Sequence, residues 1–436
     1  MSAYQIQRLS LYQQEANGPK SLRNVAAPDV PFFTPAQDPA PGTAIRQQPG
    51  GKPIPKLFTP LQIRDVKMPN RICVSPMCQY SCHDGFHTPW HIAHYGGIAQ
   101  RGPGLLMVEA TAVQANGRIT PEDSGIWLDA HMETLKKHVD FAHSQNSLIG
   151  IQLSHAGRKA STVAPWLQST GVATKEVYGW PDNVFGPTDV PFSEDTPKPR
   201  AMTLADIQEL RKDFVSGAQR AIRAGFDVIE LHFAHGYLVS TFLTPAVNQR
   251  SDKYGGSFEN RTRLALEIVE DLRAIMPSGM PLFVRISATD WLAANPEYQG
   301  PSWSVEDSAK LALLLAERGV DVLDVSSGGT HVLQKPISGP GYQAGFAKQI
   351  KETVGNKLLV SSVGNIKTGE LAEQLILGGK DANDTPLDLI AAARPFQKNP
   401  GLVLAWADDL DVAISVAHQI GWGFRGRSKK TSQNVV

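Results

Sequence analysis

The sequence has 436 residues, and its 42 Lys and Arg are balanced by 42 Asp and Glu, so no net field draws the chain to nucleic acid or an anionic membrane, and neither is expected as a partner. With 42% hydrophobic and 19% charged residues, the composition excludes a disordered or fibrous chain, and no stretch reaches the ~18 apolar residues that span a bilayer. The three cysteines, Cys73, Cys78 and Cys82, sit too close together for a disulfide framework, and the start MSAYQIQRLSLYQQ lacks the apolar core of a signal peptide, which together predict a reducing, cytoplasmic setting.

Residues 1–55 carry nine of the 31 prolines and no periodic apolar run, and read as an extension that either wraps a surface or is partly disordered. From Leu57 onward, short β-branched runs alternate with longer amphipathic segments, the pattern of parallel strands joined by crossover helices. Eight runs are predicted as strands: 71–74, 105–112, 148–153, 228–231, 281–286, 322–325, 358–360 and 387–391. Helices are expected at 203–224, stopped by Gly225, at 260–276, stopped by Pro277, and at 305–318, stopped by Gly319. Eight strands suit a (β/α)8 TIM barrel over 56–400, while a doubly wound sheet would want a glycine-rich fingerprint after its first strand, which ICVSPMC is not. Residues 154–202 are too long for an ordinary barrel loop and are expected to form a lid or substrate wall. A helix and a basic tail over 401–436 complete the chain.

A barrel places its chemistry at the C-terminal ends of its strands. Those positions give Ser75, Pro76, Met77, Cys78 and Tyr80 after the first run, Glu109, Ala110 and Thr111 in the second, and Gln152, His155, Arg158 and Lys159 from the third. The fourth run ends in HFAHGY, which supplies His232, His235 and Tyr237, and the fifth ends with Arg285. Neutral imidazoles either ligate zinc or donate hydrogen bonds to an oxygen where charge develops. The histidines His83, His87, His91 and His94 form the other dense set, with an i, i+4 pair but no HExxH glutamate. Tyr237 is placed to give a proton to carbon. Gln152 and Arg285 in a barrel mouth call for a planar ligand rich in acceptors, which a flavin ring satisfies. Glycines after strands six and seven (Gly328, Gly329, Gly364) with Ala393 and Arg394 after strand eight fit a phosphate site, for a flavin nucleotide or equally a phosphorylated sugar.

The segments SPMCQY, VEATAV, GRITPEDSGIW, IQLSHAGRKA, HFAHGYL, NQRSDKYGGSFENRTR and VRISATD resemble the Old Yellow Enzyme family of flavin-dependent oxidoreductases, most of all its thermophilic-like branch and fungal relatives. The resemblance implies non-covalently bound FMN, with Ser75, Pro76, Met77 and Cys78 along one ring edge, Ala110, Gln152 and Arg285 bonded to the ring, and Gly364, Ala393 and Arg394 on the phosphate. Cys78 would tune the potential. It further implies that NADPH or NADH reduces the flavin, that an α,β-unsaturated carbonyl or nitro compound then enters the same space, and that His232 and His235 bind its oxygen while Tyr237 protonates carbon. Tyr80 would shape the pocket. An isomerase that returns the electrons to its own substrate, and a flavin-free binding barrel, are the alternatives. The bulky Phe233 and the insertion at 379–386 are expected to alter the pocket. Relatives of this branch end in a motif like QYxRG that reaches a neighbouring subunit. Aligned on Gln419, the tail HQIGWGFRGR has Ile420 and Trp422 at those positions, with Arg425 or Arg427 as substitutes, which leaves a homo-oligomer open.

Overall fold

The computed structural model describes residues 23–379 and 384–425. Eight parallel strands close into a barrel in sequential order: β1 (Ile72–Val74), β2 (Leu105–Ala112), β3 (Ile149–Ser154), β4 (Val228–Phe233), β5 (Leu282–Ser287), β6 (Val322–Ser326), β7 (Leu359–Ser362) and β8 (Leu389–Ala392), with β8 paired to β1. Nearly every strand residue is buried, as a parallel sheet covered on both faces requires, which is why the runs read as continuously apolar.

The outer layer is α1 (Pro89–Ala99), α2 (His131–Ser144), α3 (Leu204–Ala224), α4 (Phe258–Ile275), α5 (Val305–Glu317), α6 (Ala344–Val354), α7 (Gly369–Leu377) and α8 (Leu402–Asp409). Local chemistry sets the boundaries. Thr203 accepts from the Asp206 N–H while the Asp206 carboxylate accepts from the Thr203 N–H, a capping box that starts α3. Gly225, at φ +94°, ends it. Ile207, Leu210, Phe214, Ala218 and Ala221 form the buried stripe of α3. The helix expected at 260–276 starts two residues earlier, because Ser257 accepts from the Asn260 N–H and so becomes its cap.

The strand expected at 228–231 runs on to Phe233, since His232 and Phe233 pair with Arg285 and Ile286 of β5. This extension corrects the reading of Phe233. Side chains alternate between the two faces of a barrel strand, so next to His232 on the inner face Phe233 turns outward and is fully buried in the core shared with the helices. Of the insertion at 379–386, residues 384–386 lead into β8 and so lie at the opposite face of the barrel from the strand ends. Its residues 380–383 are outside the described residues, and Asp384 contacts Lys348 of α6.

From residue 23, the N-terminal extension wraps the barrel's lower face. Ile45 N donates to Ala413 O at 2.9 Å, Ser415 N to Thr43 O at 2.7 Å, and Gln48 Oε1 accepts from Ala413 N at 2.7 Å. Asn70 ties this arm to the barrel by donating to Gly42 O and Gly102 O. Residues 1–22 are outside the described residues. The tail helix His418–Arg425 meets the same arm, with Gln37 donating to Gln419 at 2.8 Å; Trp422 is exposed, and Arg427 lies outside the described residues. Among the described residues, no helix is long and apolar enough to cross a membrane.

Candidate active site

The register of the barrel stacks a polar layer beneath its C-terminal mouth. Gln152 of β3 faces Glu230 of β4, His232 faces Arg285 of β5, and Arg285 faces Asp324 of β6. Gln152 Nε2 donates to Glu230 Oε1 at 2.7 Å. Arg285 Nε lies 3.1 Å from Asp324 Oδ2, within ion-pair distance but without hydrogen-bond geometry. Burial, then the neighbouring Asp324, raises the Glu230 carboxyl well above the usual range, against the pull of Arg285. Glu230 and Asp324 were not singled out from the sequence, although a carboxylate inside VIEL and VLDV is itself the signal, being costly in an otherwise apolar run.

Above this layer, His232, His235 and Tyr237 converge. Their ring centroids are 5.1 Å (His232–His235), 4.8 Å (His232–Tyr237) and 6.5 Å (His235–Tyr237) apart, all near perpendicular. The turn that brings them together is tight. His235 is left-handed at φ +62° and Gly236 at φ +71°, and a Cβ on Gly236 would sit 2.3 Å from Gly329 O. His232 Nδ1 accepts from the Ala234 N–H at 3.2 Å, so the neutral ring carries its proton on Nε2. His235 Nε2 lies 2.7 Å from Ser326 Oγ. Burial lowers both imidazoles well below the ordinary value, with Arg285 and Lys159 adding to it and His235 acting on His232 as well. The phenol of Tyr237 is raised, chiefly by burial. At neutral pH the cluster is two neutral donors or acceptors and one protonated phenol.

A cleft of about 450 Å³ opens beside this cluster, lined by Arg285, Ser326, Gln343, Gly364, Ala393 and Arg394, with Lys367 and Lys398 at its rim. Gly364, at φ +131°, approaches Gln343 so closely that a Cβ would lie 2.9 Å from Nε2. The cleft therefore offers bare backbone and cations where a phosphate dianion would rest. Gly328 and Gly329 do not line it. Gly329 packs against the turn after β4, where Lys159 bonds to Gly329 O, and Gly328 packs against Gln334 and Trp291, so the glycines expected after strand six serve close backbone approach outside the cleft. Among the described residues, Ser75 Oγ and Asp324 Oδ1, like Arg285 Nε, are buried without a hydrogen-bond partner, and buried polar atoms at a strand end call for a polar ligand. These residues fit a flavin mononucleotide: Ser75, Arg285 and Asp324 would meet its polar ring, and Gly364, Ala393 and Arg394 would hold its phosphate.

On the first loop, Tyr80 is left-handed at φ +48° and meets Trp166 edge to face at 5.5 Å. Burial raises the Cys78 thiol, so it is neutral. The loop is braced from below by Glu109, which accepts from Gln79 N at 2.8 Å and from Tyr95 Oη at 2.9 Å, at the point where the β2–β3 register shifts. The excursion over 154–202 forms a wall: Thr162, Val163, Pro165 and Phe192 face Tyr80 and Tyr237 across a smaller cavity.

The second histidine set assembles differently from its sequence pattern. Cys82, His87 and His91 place one donor atom each within 4.8 Å of one another, and His138 joins them through a 2.9 Å bond to His87 Nδ1. The lone pairs are committed elsewhere. His91 Nδ1 accepts from the Thr88 N–H at 3.0 Å, so Nε2 bears the proton, which serves Cys82 Sγ at 3.5 Å with Glu109 3.3 Å away. His87 uses both nitrogens, on His138 and on Ser124 Oγ at 2.6 Å. Ligation by Nε2 of His91 would turn a second N–H against that of Thr88, and the cluster is accounted for as a hydrogen-bonded brace under the first loop.

The chain is similar to known proteins along most of its length. The family model described as NADH:flavin oxidoreductase / NADH oxidase matches residues 56–411. An NADH:flavin oxidoreductase of Gibberella zeae is 53% identical over 414 residues, covering 94% of this chain and 97% of the relative. An NADPH dehydrogenase of a Geobacillus strain is 42% identical over 372 residues, covering 84% and 99%. Morphinone reductase superposes with a TM-score of 0.65 at 27% identity, over 83% of this chain and 91% of that one. The match of this family model over most of a (β/α)8 barrel chain, together with relatives of 53% and 42% identity, makes the chain a member of the NADH:flavin oxidoreductase (Old Yellow Enzyme) family, an FMN-dependent oxidoreductase that draws its electrons from NAD(P)H.

Proposed function

We propose that this enzyme reduces the activated C=C bond of α,β-unsaturated carbonyl or nitro compounds, using NADPH or NADH in a cytoplasmic setting. The observation that carries this reading is the convergence of His232, His235 and Tyr237 into one cluster beside the cofactor cleft. When bound, FMN supplies the chemistry of taking up a hydride from the nicotinamide and passing one to carbon. Gln152 and Arg285, with Ala110 and the loop residues Ser75, Pro76, Met77 and Cys78, are assigned to hold its ring. Gly364, Ala393 and Arg394 are assigned to its phosphate.

The protein's share of the reaction is positioning and electrostatics. His232 presents Nε2–H to the substrate oxygen and, with His235, stabilises charge that gathers there as the β-carbon is reduced. Because both rings are neutral, they donate hydrogen bonds without having to lose a proton, and the oxygen is polarised and not itself protonated. Tyr237, held protonated by burial, delivers its proton to the α-carbon. Tyr80 and the wall of 154–202 hold the substrate over the ring and keep water out.

Product stoichiometry tests the reading. With 2-cyclohexenone under nitrogen, each NADPH consumed is expected to yield one cyclohexanone. NADPH consumption without saturated ketone, or isomerised substrate without net NADPH consumption, would contradict it.

A further inference from the structure

We propose that the natural substrate of this site carries a carboxylate a few bonds from its activated C=C bond, and that Lys159 receives it in the cavity between Tyr237, Tyr80 and the excursion. The proposal rests on the enone-reducing reading above and names the class of substrate within it.

Lys159 ends the short 3₁₀ turn Gly157–Lys159 that follows β3. Its Nζ donates to His235 O at 2.8 Å and to Gly329 O, and lies 4.1 Å from the Phe192 ring and 5.9 Å from that of Tyr237. Two neutral carbonyls and two aromatic faces orient this ammonium but do not neutralise it. Among the described residues, no carboxylate forms an ion pair with it, and its one close charged neighbour, Arg158, has the same sign. Arg158 is itself spent on the carbonyls of Val190, Pro191 and Thr330. A buried cation without a counter-charge is costly, and an anion that reaches it removes that cost.

The cavity it faces is suited to such an anion. It holds about 200 Å³, Lys159 is the one charged residue in its lining, and Thr162, Ser169, Thr170 and Thr196 add hydroxyls. It opens on Tyr237 and Tyr80, so a molecule bound there reaches the reacting cluster within a few bonds. The titratable groups around Lys159 are Arg158 on its own turn, His232 and His235 after β4, and Tyr80 and Tyr237 across the cavity. Both imidazoles are held neutral and both phenols protonated. Burial and then Arg158 bring Lys159 down to about 7. Capture of a carboxylate reverses that shift, so binding the acid takes up a proton near neutral pH and weakens as the pH rises.

The test compares (E)-4-oxopent-2-enoate with its methyl ester on the holoenzyme, with 2-cyclohexenone alongside. The ester is the more electrophilic, so the comparison is made in KM. For the unaltered enzyme at pH 6.5 the acid is expected to have a KM at least about ten-fold below that of the ester, with the advantage shrinking between pH 7 and 9 while the KM of the ester stays level. Lys159→Met should bring the two within about two-fold, and Lys159→Arg should retain the preference. Equal KM values in the unaltered enzyme overturn the proposal whether or not the Met variant folds, as does a preference that survives in Lys159→Met. An effect confined to the KM of NADPH overturns it by assigning Lys159 to the hydride donor. Turnover of 2-cyclohexenone without preference for the acid sinks the carboxylate alone, and failure to turn over any enone sinks it together with the reading on which it rests.

Discussion

Gln152 of β3 donates its amide to the Glu230 carboxyl of β4 at 2.7 Å, across a pair of strands whose register sets the two residues side by side. The bond fixes which way the amide faces: with Nε2 turned to Glu230, Oε1 is left free to accept, and it would accept from a flavin ring held as proposed.

Gln152→Leu should therefore weaken FMN binding about ten-fold, the equivalent of about 1.4 kcal/mol for one hydrogen bond to the ring. Fluorescence of FMN released on dilution measures it. An unchanged Kd would remove Gln152 from the ring.

Tyr237→Phe should divide the two half-reactions. Loss of a general acid costs on the order of 10²-fold or more in the step it serves, so stopped-flow reoxidation by an enone should slow by that factor, while reduction by NADPH changes far less. Equal losses in both would contradict the proton-donor role.

Burial lowers His138 to about 3, and lowers His87 well below its ordinary value, with His138 as the next cause. In the unfolded chain both titrate near 6.5, so between about pH 3 and 6.5 the unfolded state binds more protons than the folded one. The stability these residues contribute is present above pH 6.5 and lost as the pH falls. For His138, linkage gives about 2 kcal/mol between pH 7 and pH 5, and His87 acts in the same direction. Glu230, raised by burial, has the opposite sense, so the test lies in a variant and not in the total. His138→Leu should make the fall in Tm from pH 6.5 to 5 shallower; a parallel fall would contradict the assignment.

Glu109→Gln keeps the size of the side chain but removes the charge that accepts from Gln79 N and Tyr95 Oη and lies 3.3 Å from His91 Nε2. Each hydrogen bond to a charged group contributes about 1.5–3 kcal/mol, so a loss of about 2–4 kcal/mol in chemical denaturation is expected, with higher accessibility of Cys78 to a thiol reagent. Unaltered reactivity would show that Glu109 does not hold the first loop.

The barrel was legible because its strands are buried on both faces, which leaves unbroken apolar runs between capped helices. Thr203 and Gly225 announce α3 at both ends, and the HFAHGY segment stands out because three ring side chains follow one strand. What the sequence concealed depends on partners far away in the chain. The extension of β4 through Phe233 follows from pairing with Ile286, and the fate of the N-terminal arm follows from Ala413 and Ser415. His87 and His91 show the helical spacing of a metal half-site, yet one bond from the Thr88 N–H to His91 Nδ1 reassigns the proton and with it the role. Such a bond leaves no trace in spacing.

The central claim, that one site passes electrons from a nicotinamide to an enone through a flavin, is tested most directly by an anaerobic absorbance spectrum of the purified protein. A flavin spectrum that bleaches with NADPH and returns on addition of 2-cyclohexenone is the expected result. Bleaching without return would contradict reduction of the C=C bond, and a protein that stays colourless after FMN is added would contradict the flavin site itself.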